Sequence, residues 1–551
     1  MSESTAPFTF TRRGFIGAAG AGAIAVGLPV AAGPADAASA ASAVFRHGVA
    51  SGDPLPDRII LWTRVTPSTD ASPGSRRGGA STITWEMSGS RDFNRVVAFG
   101  SVTTDTSRDH TVKVDASGLR PATVYWYRFR VTGGSAVGAV SPIGRTKTAP
   151  AAGADVARVR FGVVSCSNWE AGYFSSYRFL ADRTDLDAVV HLGDYLYEYG
   201  PGGYAGKGGV VRRHEPARDI VTLADYRIRH GQYKTDPDLQ AVHRQHPFIA
   251  TWDDHESAND AWSGGAENHT RSQGAWGQRK AHADRAYFEW MPVRPQVSGD
   301  NRHIYRRLAY GDLLELSMLD LRTYRDSSAD RFSRESDDPE RTIMGRRQLE
   351  WVKNGIATSN TRWQIIGNSV MISPLLIPPL DPARTKAITD LVGIPENGVP
   401  FNGDQWDGYV ADRQRLLDAV DDAGKKNVVF LTGDIHMSWA NEIPRKAADY
   451  PGAGTVATEF VVTSVTSNNL DDIVKAPVHT VGGAAAAAIM ATNHHTRWVD
   501  TDEHGYGVMT VTPSAARMDW YFVDDLTDRR TGQRYAHSWT VKNGSRRMTK
   551  P

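Results

Sequence analysis

The chain has 551 residues, 40% of them apolar and 23% charged, with 63 Lys and Arg against 62 Asp and Glu. That length allows roughly three or four domains with a sizeable core, and the composition excludes disorder, a collagen-like chain and a membrane bundle. A net charge of +1 without a basic stripe gives no nucleic-acid-binding signal, and a single cysteine, Cys166, excludes an internal disulfide framework.

Residues 1–40 read as an address rather than as structure. Thr11-Arg12-Arg13-Gly14-Phe15 is a twin-arginine pattern, Ile16 to Ala32 is a weakly apolar Ala/Gly stretch, and small residues offer cleavage after Ala37 or Ala40. These are the parts of an export signal, and the apolar run is short for a membrane span; a retained anchor is the alternative. The expectation is a secreted protein that uses the twin-arginine export machinery and keeps no transmembrane segment after processing. Twin-arginine export carries folded proteins, which suits a chain that takes up a metal first. Cys166 then needs a use or a burial place.

Residues 44–148 read as a β-sandwich. Arg58–Val65, Thr82–Met87, His110–Val114 and Val124–Val131 are strand candidates separated by turns. Leu119-Arg120-Pro121-Ala122-Thr123-Val124-Tyr125-Trp126-Tyr127 resembles a fibronectin type III strand pair with a tyrosine corner. Thr146 to Ala157 is a Pro/Ala/Gly-rich linker. Beyond it, apolar runs at Val159–Val164, Ala188–Leu192, Thr361–Ile366 and Asn427–Leu431 alternate with helix-period segments at Tyr177–Leu186, Ala281–Trp290 and Gly345–Ala357. That texture predicts an α/β domain over 157–525, followed by a tail, 526–551, placed to cover a site. The Gly/Ala tract at 480–490 fits a loop or a helix equally.

Three of the apolar runs end in residues able to bind a metal: Val164-Ser165-Cys166, Leu192-Gly193-Asp194-Tyr195-Leu196-Tyr197 and Thr432-Gly433-Asp434-Ile435-His436. Ligands in open α/β sheets gather at the carboxyl ends of strands, and a glycine before each Asp permits a tight turn. A fourth segment packs five acids or amides and His255 into 253–260. Each piece alone has a bland reading: a turn for Gly-Asp, a core position for the cysteine, a solvated loop for 253–260. Together and in this order they point to a metal site.

The order resembles that of the calcineurin-like metallophosphoesterases, relatives of the purple acid phosphatases. In finer wording it resembles the PhoD-type alkaline phosphatases, on these segments and on Phe45–Pro54, Leu61–Arg64, Trp252–Glu256, Glu289–Arg294 and Asp404–Tyr409. The resemblance runs from about 45 to 525. It implies an α+β multidomain chain, a fibronectin III-like β-sandwich followed by a large αββα metallophosphoesterase domain. It also implies a ferric ion held by Cys166, Asp194, Tyr197 and His436, with Asp194 bridging to calcium and Asn259 and Asp434 completing that side. Thiolate, phenolate and imidazole suit a transition metal, and carboxylate and amide oxygens suit calcium.

The implied function is a secreted alkaline phosphatase and phosphodiesterase. Paired cations neutralise the phosphoryl oxygens and acidify the water that attacks phosphorus. His255 is the candidate proton donor to the leaving oxygen, with Asp254 beside it; Asp253 and Asp254 are ligands or acceptors behind ligands. Arg279 is a candidate phosphate clamp, with a solvated helix face as its bland reading. Two alternatives stand beside this one. A phospholipase D-type activity would use the same iron and calcium site, helped by the apolar stretch Pro374–Leu380. A wall-binding protein would carry an inactive phosphoesterase scaffold.

Overall fold

The computed structural model describes residues 43–298 and 301–550, so the export-signal reading of 1–40 lies outside the described residues. Two large sheets pack face to face. The first has ten strands, in the order Met548–Thr549, Gln533–Lys542, Ala515–Val523, Gly505–Val511, Val159–Val164, Ala188–Leu192, Pro247–Thr251, Val49–Gly52, Arg58–Arg64 and Thr111–Ser117. The second has seven: Arg306–Tyr310, Leu314–Met318, Trp363–Asn368, Val428–Thr432, Thr455–Val461, Ser438–Pro444 and Thr496–Asp500.

The apolar runs are continuous because their strands are buried on both faces. Successive side chains point to opposite sides of a strand. Phe161, Val163, Val190 and Leu192 accordingly meet Leu316, Ile365, Val429, Leu431 and Phe460 between the sheets. Their neighbours Val164 and Val189 face outward, onto Tyr177 and Leu180 of the helix Ser175–Asp182 and onto Tyr226, Leu239 and Tyr287 of three further helices, Leu223–Tyr233, Pro237–Gln245 and Trp276–Trp290. Val428 and Phe430 face the other way, onto the helices Gly345–Thr358 and Val410–Asp422 through Leu349, Val352, Leu416 and Val420. The layers are therefore helix, sheet, sheet, helix. At the heart of each sheet the strands run parallel, so their carboxyl ends open on one side.

A four-stranded sheet (Val96–Thr104, Ser81–Ser88, Val124–Gly133, Gly144–Lys147) packs across the strands 49–52, 58–64 and 111–117 through Ile83, Met87, Tyr127 and Phe129 against Ile59, Leu61 and Val112. Tyr125 Oη accepts the Arg120 N–H at 2.9 Å, the bond of a tyrosine corner. The strand Val49–Gly52 also pairs in parallel with Pro247–Thr251. One face of this N-terminal unit is thus a continuation of the ten-stranded sheet. A side chain at Gly52 would lie 2.1 Å from the Pro292 carbonyl, so that contact needs glycine.

The helix expected at Tyr177–Leu186 covers Ser175–Asp182, and the undecided Gly/Ala tract is the helix Val481–Thr492. Residues 526–551 carry two strands of the ten-stranded sheet, and Trp539, Val541 and Met548 are buried in the core between the sheets. Among the described residues no helix is long and apolar enough to cross a membrane.

Candidate metal centre

The strands ending at Val164, Leu192 and Thr251 deliver three loops to one place, and Val428–Thr432 of the second sheet delivers a fourth. The loops are tied to one another. Cys166 N–H donates to the Gly193 carbonyl at 3.2 Å and Ser167 N–H to that of Asp194 at 2.8 Å. The Glu256 carboxylate accepts the N–H groups of Asp194, Tyr195 and Asp253 at 3.2, 2.5 and 2.8 Å. Gly193 has a φ of 106°, and a side chain there would strike Asp253 at 2.5 Å.

Cys166, Asp194, Asp434 and His436 all adopt left-handed backbone, with φ of 60°, 55°, 61° and 60°. For residues with a β-carbon this costs about 1 kcal/mol or more each, and such strain persists where the surroundings over-determine it. Here it turns four donor side chains toward one point. Ligand atoms of Cys166, Asp194 and His436 lie within 4.8 Å of one another, as do those of Asp194, Asp254 and His255, and those of Asp253, Asp254 and Asp434. Asp194 belongs to the first two groups and Asp254 to the last two, so the groups adjoin.

Tyr197 completes the first group. Its hydroxyl donates to Asp194 Oδ2 at 2.9 Å, accepts from Ser467 Oγ at 2.6 Å and lies 3.2 Å from His436 Nε2. His436 Nδ1 donates to the Asn468 carbonyl at 2.7 Å, which fixes the tautomer and leaves the Nε2 lone pair facing the group. Burial pushes His436 down to about 4, so it is neutral, as a ligand must be.

Burial, then Asp194, raises the Cys166 thiol well above its usual range; burial and the same carboxylate raise Tyr197. Burial and the neighbouring acids raise Asp194 and Asp434. A bound cation would act against these shifts, favouring the thiolate, phenolate and carboxylates. Asp194 Oδ1 and Asp254 Oδ1 are buried without a hydrogen-bond partner. Orphaned carboxylate oxygens beside a thiol, a phenol and a neutral imidazole fit a bound metal.

His255 Nδ1 lies 2.8 Å from Glu198 Oε2, which leaves Nε2 for the centre, and its ring packs on Tyr197 with centroids 4.1 Å apart. Burial opposes its positive charge, but Asp254, Glu198 and Asp194 outweigh it and hold His255 well above the usual range. Glu198 is fixed in turn by Asn259 N–H at 2.7 Å and Asn268 Nδ2 at 2.5 Å.

The structure distributes the expected residues unevenly. Cys166, Asp194, Tyr197, Asp434, His436, Asp254 and His255 come together. The Asn259 carboxamide donates through Nδ2 to Glu267 at 3.2 Å, which leaves Oδ1 as its free ligand atom. Arg279 is neither in the centre nor on a solvated face: it is 1% exposed, and its Nε donates to Tyr226 Oη, which donates to the Ser257 carbonyl. It is buried because it braces the 254–257 turn from behind.

Sequence reasoning missed Arg322 and Asp404. Arg322 Nε and Nη2 donate to both oxygens of Asp253 at 2.7 and 2.9 Å; Nη1 pairs with Asp404 at 2.8 Å, and Nη2 lies 3.6 Å from Asp434 and 3.7 Å from Asp254. Arg322 and Arg325 sit in Asp320-Leu321-Arg322-Thr323-Tyr324-Arg325, where two arginines and an aspartate end a buried strand, and that is the signal that was available.

Comparison with known proteins shows the family. The family model for the PhoD-like phosphatase matches residues 161–520, and that for the PhoD-like phosphatase N-terminal domain matches 31–150. Alkaline phosphatase D of Bacillus subtilis (strain 168) is 36% identical over 541 residues, covering 96% of this chain and 86% of that protein. A solved structure titled "Structure of PhoD" superposes with a TM-score of 0.80 at 33% identity, over 92% of each chain. The purple acid phosphatase PPD1 from yellow lupin seeds shares the fold, with a TM-score of 0.52 at 12% identity over 90% of this chain and 73% of that one. The enzyme is a phosphoric ester hydrolase. The chain belongs to the PhoD-like phosphatase family.

Proposed function

We propose that the protein is a secreted alkaline phosphatase and phosphodiesterase, exported by the twin-arginine route, with a ferric ion on Cys166, Asp194, Tyr197 and His436. Calcium would take the carboxylate side, on Asp194, Asn259 and Asp434 with Asp254 beside them; Asn259 donates to Glu267 through Nδ2, which leaves Oδ1 free to ligate. The observation that carries this reading is the convergence of a buried thiol, phenol and neutral imidazole on Asp194, whose second oxygen has no partner. What cations supply at such a site is neutralisation of phosphoryl oxygens and an acidified water.

The chain's own residues do the rest. Asp194 would offer an oxygen to each side. Glu198 holds His255 with Nε2 toward the centre, poised to protonate a leaving oxygen or to hold a phosphoryl oxygen. Arg322 keeps Asp253 and Asp404 paired, so these buried carboxylates do not repel an incoming phosphate. The two-sheet N-terminal unit is read as fibronectin III-like on its tyrosine corner.

A second reading keeps the site and changes the substrate to a phospholipid. Leu375 and Leu376 of the stretch 374–380 are buried, which weakens that stretch as a lipid contact. Phe401, 42% exposed, favours lipid, because it lines a cavity of about 290 Å³ that also reaches Asp260 and Asp404. The intact donor set argues against an inactive scaffold.

The test compares hydrolysis of a phosphomonoester, a simple diester and phosphatidylcholine by one calcium-supplemented preparation purified without chelator. Small esters should turn over; dominant choline release would move the assignment to the lipase reading. A Cys166→Ala/Asp194→Asn variant should lose iron and at least about a thousandfold in rate. Hydrolysis at the parent rate would overturn the site.

A further inference from the structure

A cavity of about 440 Å³ lies on the seam between the N-terminal unit and the helix Trp276–Trp290. Its walls carry Arg108, Lys113, Arg285 and Arg302, with Phe288 between them and Glu289 as the acid. Glu289 is already matched twice. Arg227 pairs with both its oxygens at 2.7 and 2.8 Å, and Arg285 Nε adds a third bond at 2.9 Å.

The other three cations have no such partner. Lys113 Nζ donates only to backbone carbonyls, those of Phe288 and Val293. Arg302 lies over the Phe288 ring, 5.4 Å from its centre, and Arg108 ends an exposed turn. Among the described residues no carboxylate pairs with any of the three. Burial pushes Lys113 down to about 7; Asp53 and Glu289 oppose that shift, and Arg302 adds to it. Cationic groups that face one concave surface with no carboxylate partner among the described residues raise the local concentration of anions. The volume exceeds that of a bare phosphate and falls within the range of small-ligand sites. Guanidinium and ammonium groups together match phosphate oxygens. No residue of this cavity belongs to the metal centre.

We propose that this seam is a second anion site, taking phosphate-bearing groups: free inorganic phosphate, or a phosphodiester of a chain substrate whose reacting end lies elsewhere. The chemistry is shared, and two assays separate the sources. Inorganic phosphate is titrated calorimetrically into the full chain and into an Arg108→Gln/Arg302→Gln variant. Both residues are exposed, and turnover of p-nitrophenyl phosphate reports that the variant is folded. The variant should bind one phosphate fewer per chain, while phosphate inhibits p-nitrophenyl phosphate hydrolysis equally in both. The same number of phosphates bound by parent and variant would overturn the site, whatever the fate of the metal-centre reading. Hexathymidylate, a linear phosphodiester, then names the source. A KM raised about tenfold in the variant, the size expected for two lost charge contacts, assigns a chain substrate. An unchanged KM with the phosphate lost assigns free phosphate.

Discussion

The metal centre has two unlike halves. Around Cys166, Tyr197 and His436 the donors are soft or aromatic, and two of them are steadied from behind by neutral partners: Ser467 for Tyr197, the Asn468 carbonyl for His436. Around Asp253, Asp254 and Asp434 the donors are all carboxylates, and a buried arginine threads among them. The first half is preorganised without charge. The second carries its own counter-cation, because three buried carboxylates, Asp253, Asp254 and Asp404, beside the half-buried Asp434 are tolerable only with compensation.

Breaking that compensation gives the largest effect expected on stability. Arg322→Met leaves Asp253 buried without its counter-cation and Asp404 with Arg325 alone, and should cost about 3–5 kcal/mol in denaturant unfolding of the chelated chain. A loss below about 1 kcal/mol would mean that the carboxylate half needs no counter-cation. His255→Ala should lower kcat about a hundredfold with metal content unchanged. If metal content falls with the rate, His255 is a ligand and not a proton donor. Glu198→Gln should cost about tenfold in kcat, by loosening His255 alone.

The smallest effect lies away from the centre and sharpens the contrast. Lys113, at about 7 in the folded chain, binds fewer protons there than in the unfolded chain between pH 7 and its ordinary range. Stability therefore rises with pH across that window. The facing charges are Asp53, Glu289 and Arg302. Lys113→Met should be more stable than the parent at pH 6, and the gap should close by pH 10 in thermal unfolding at matched salt.

The soft half was legible in the sequence because each donor follows directly on an apolar run: Val164 before Cys166, Leu192 before Asp194, Thr432 before Asp434 and His436. A strand end fixes where its next residues point, so chain order alone brought them together. The layered fold was legible from the same runs. Arg322 was not, since its meeting with Asp253 and Asp404 depends on packing between distant loops; Asp404 follows Gly403, but no apolar run leads into that pair as it does into Gly193-Asp194 and Gly433-Asp434. Glu198 sat in view beside Tyr197, but nothing local reveals that its partner is His255. The continuity of 49–52 with 247–251 was hidden because strand pairing leaves no mark on composition.

The neighbours of the strand Val159–Val164 set a timetable. On one side it pairs with Ala188–Leu192, which follows closely; on the other it waits for Gly505–Val511 near the far end of the chain. At roughly 5–20 residues per second of synthesis, that edge stays open for on the order of tens of seconds. The loop carrying Cys166 is thus held from one side only while the polypeptide is being made. An open apolar edge invites wrong pairing. The frame of the Cys166 loop is accordingly complete only once Gly505–Val511 has emerged and paired.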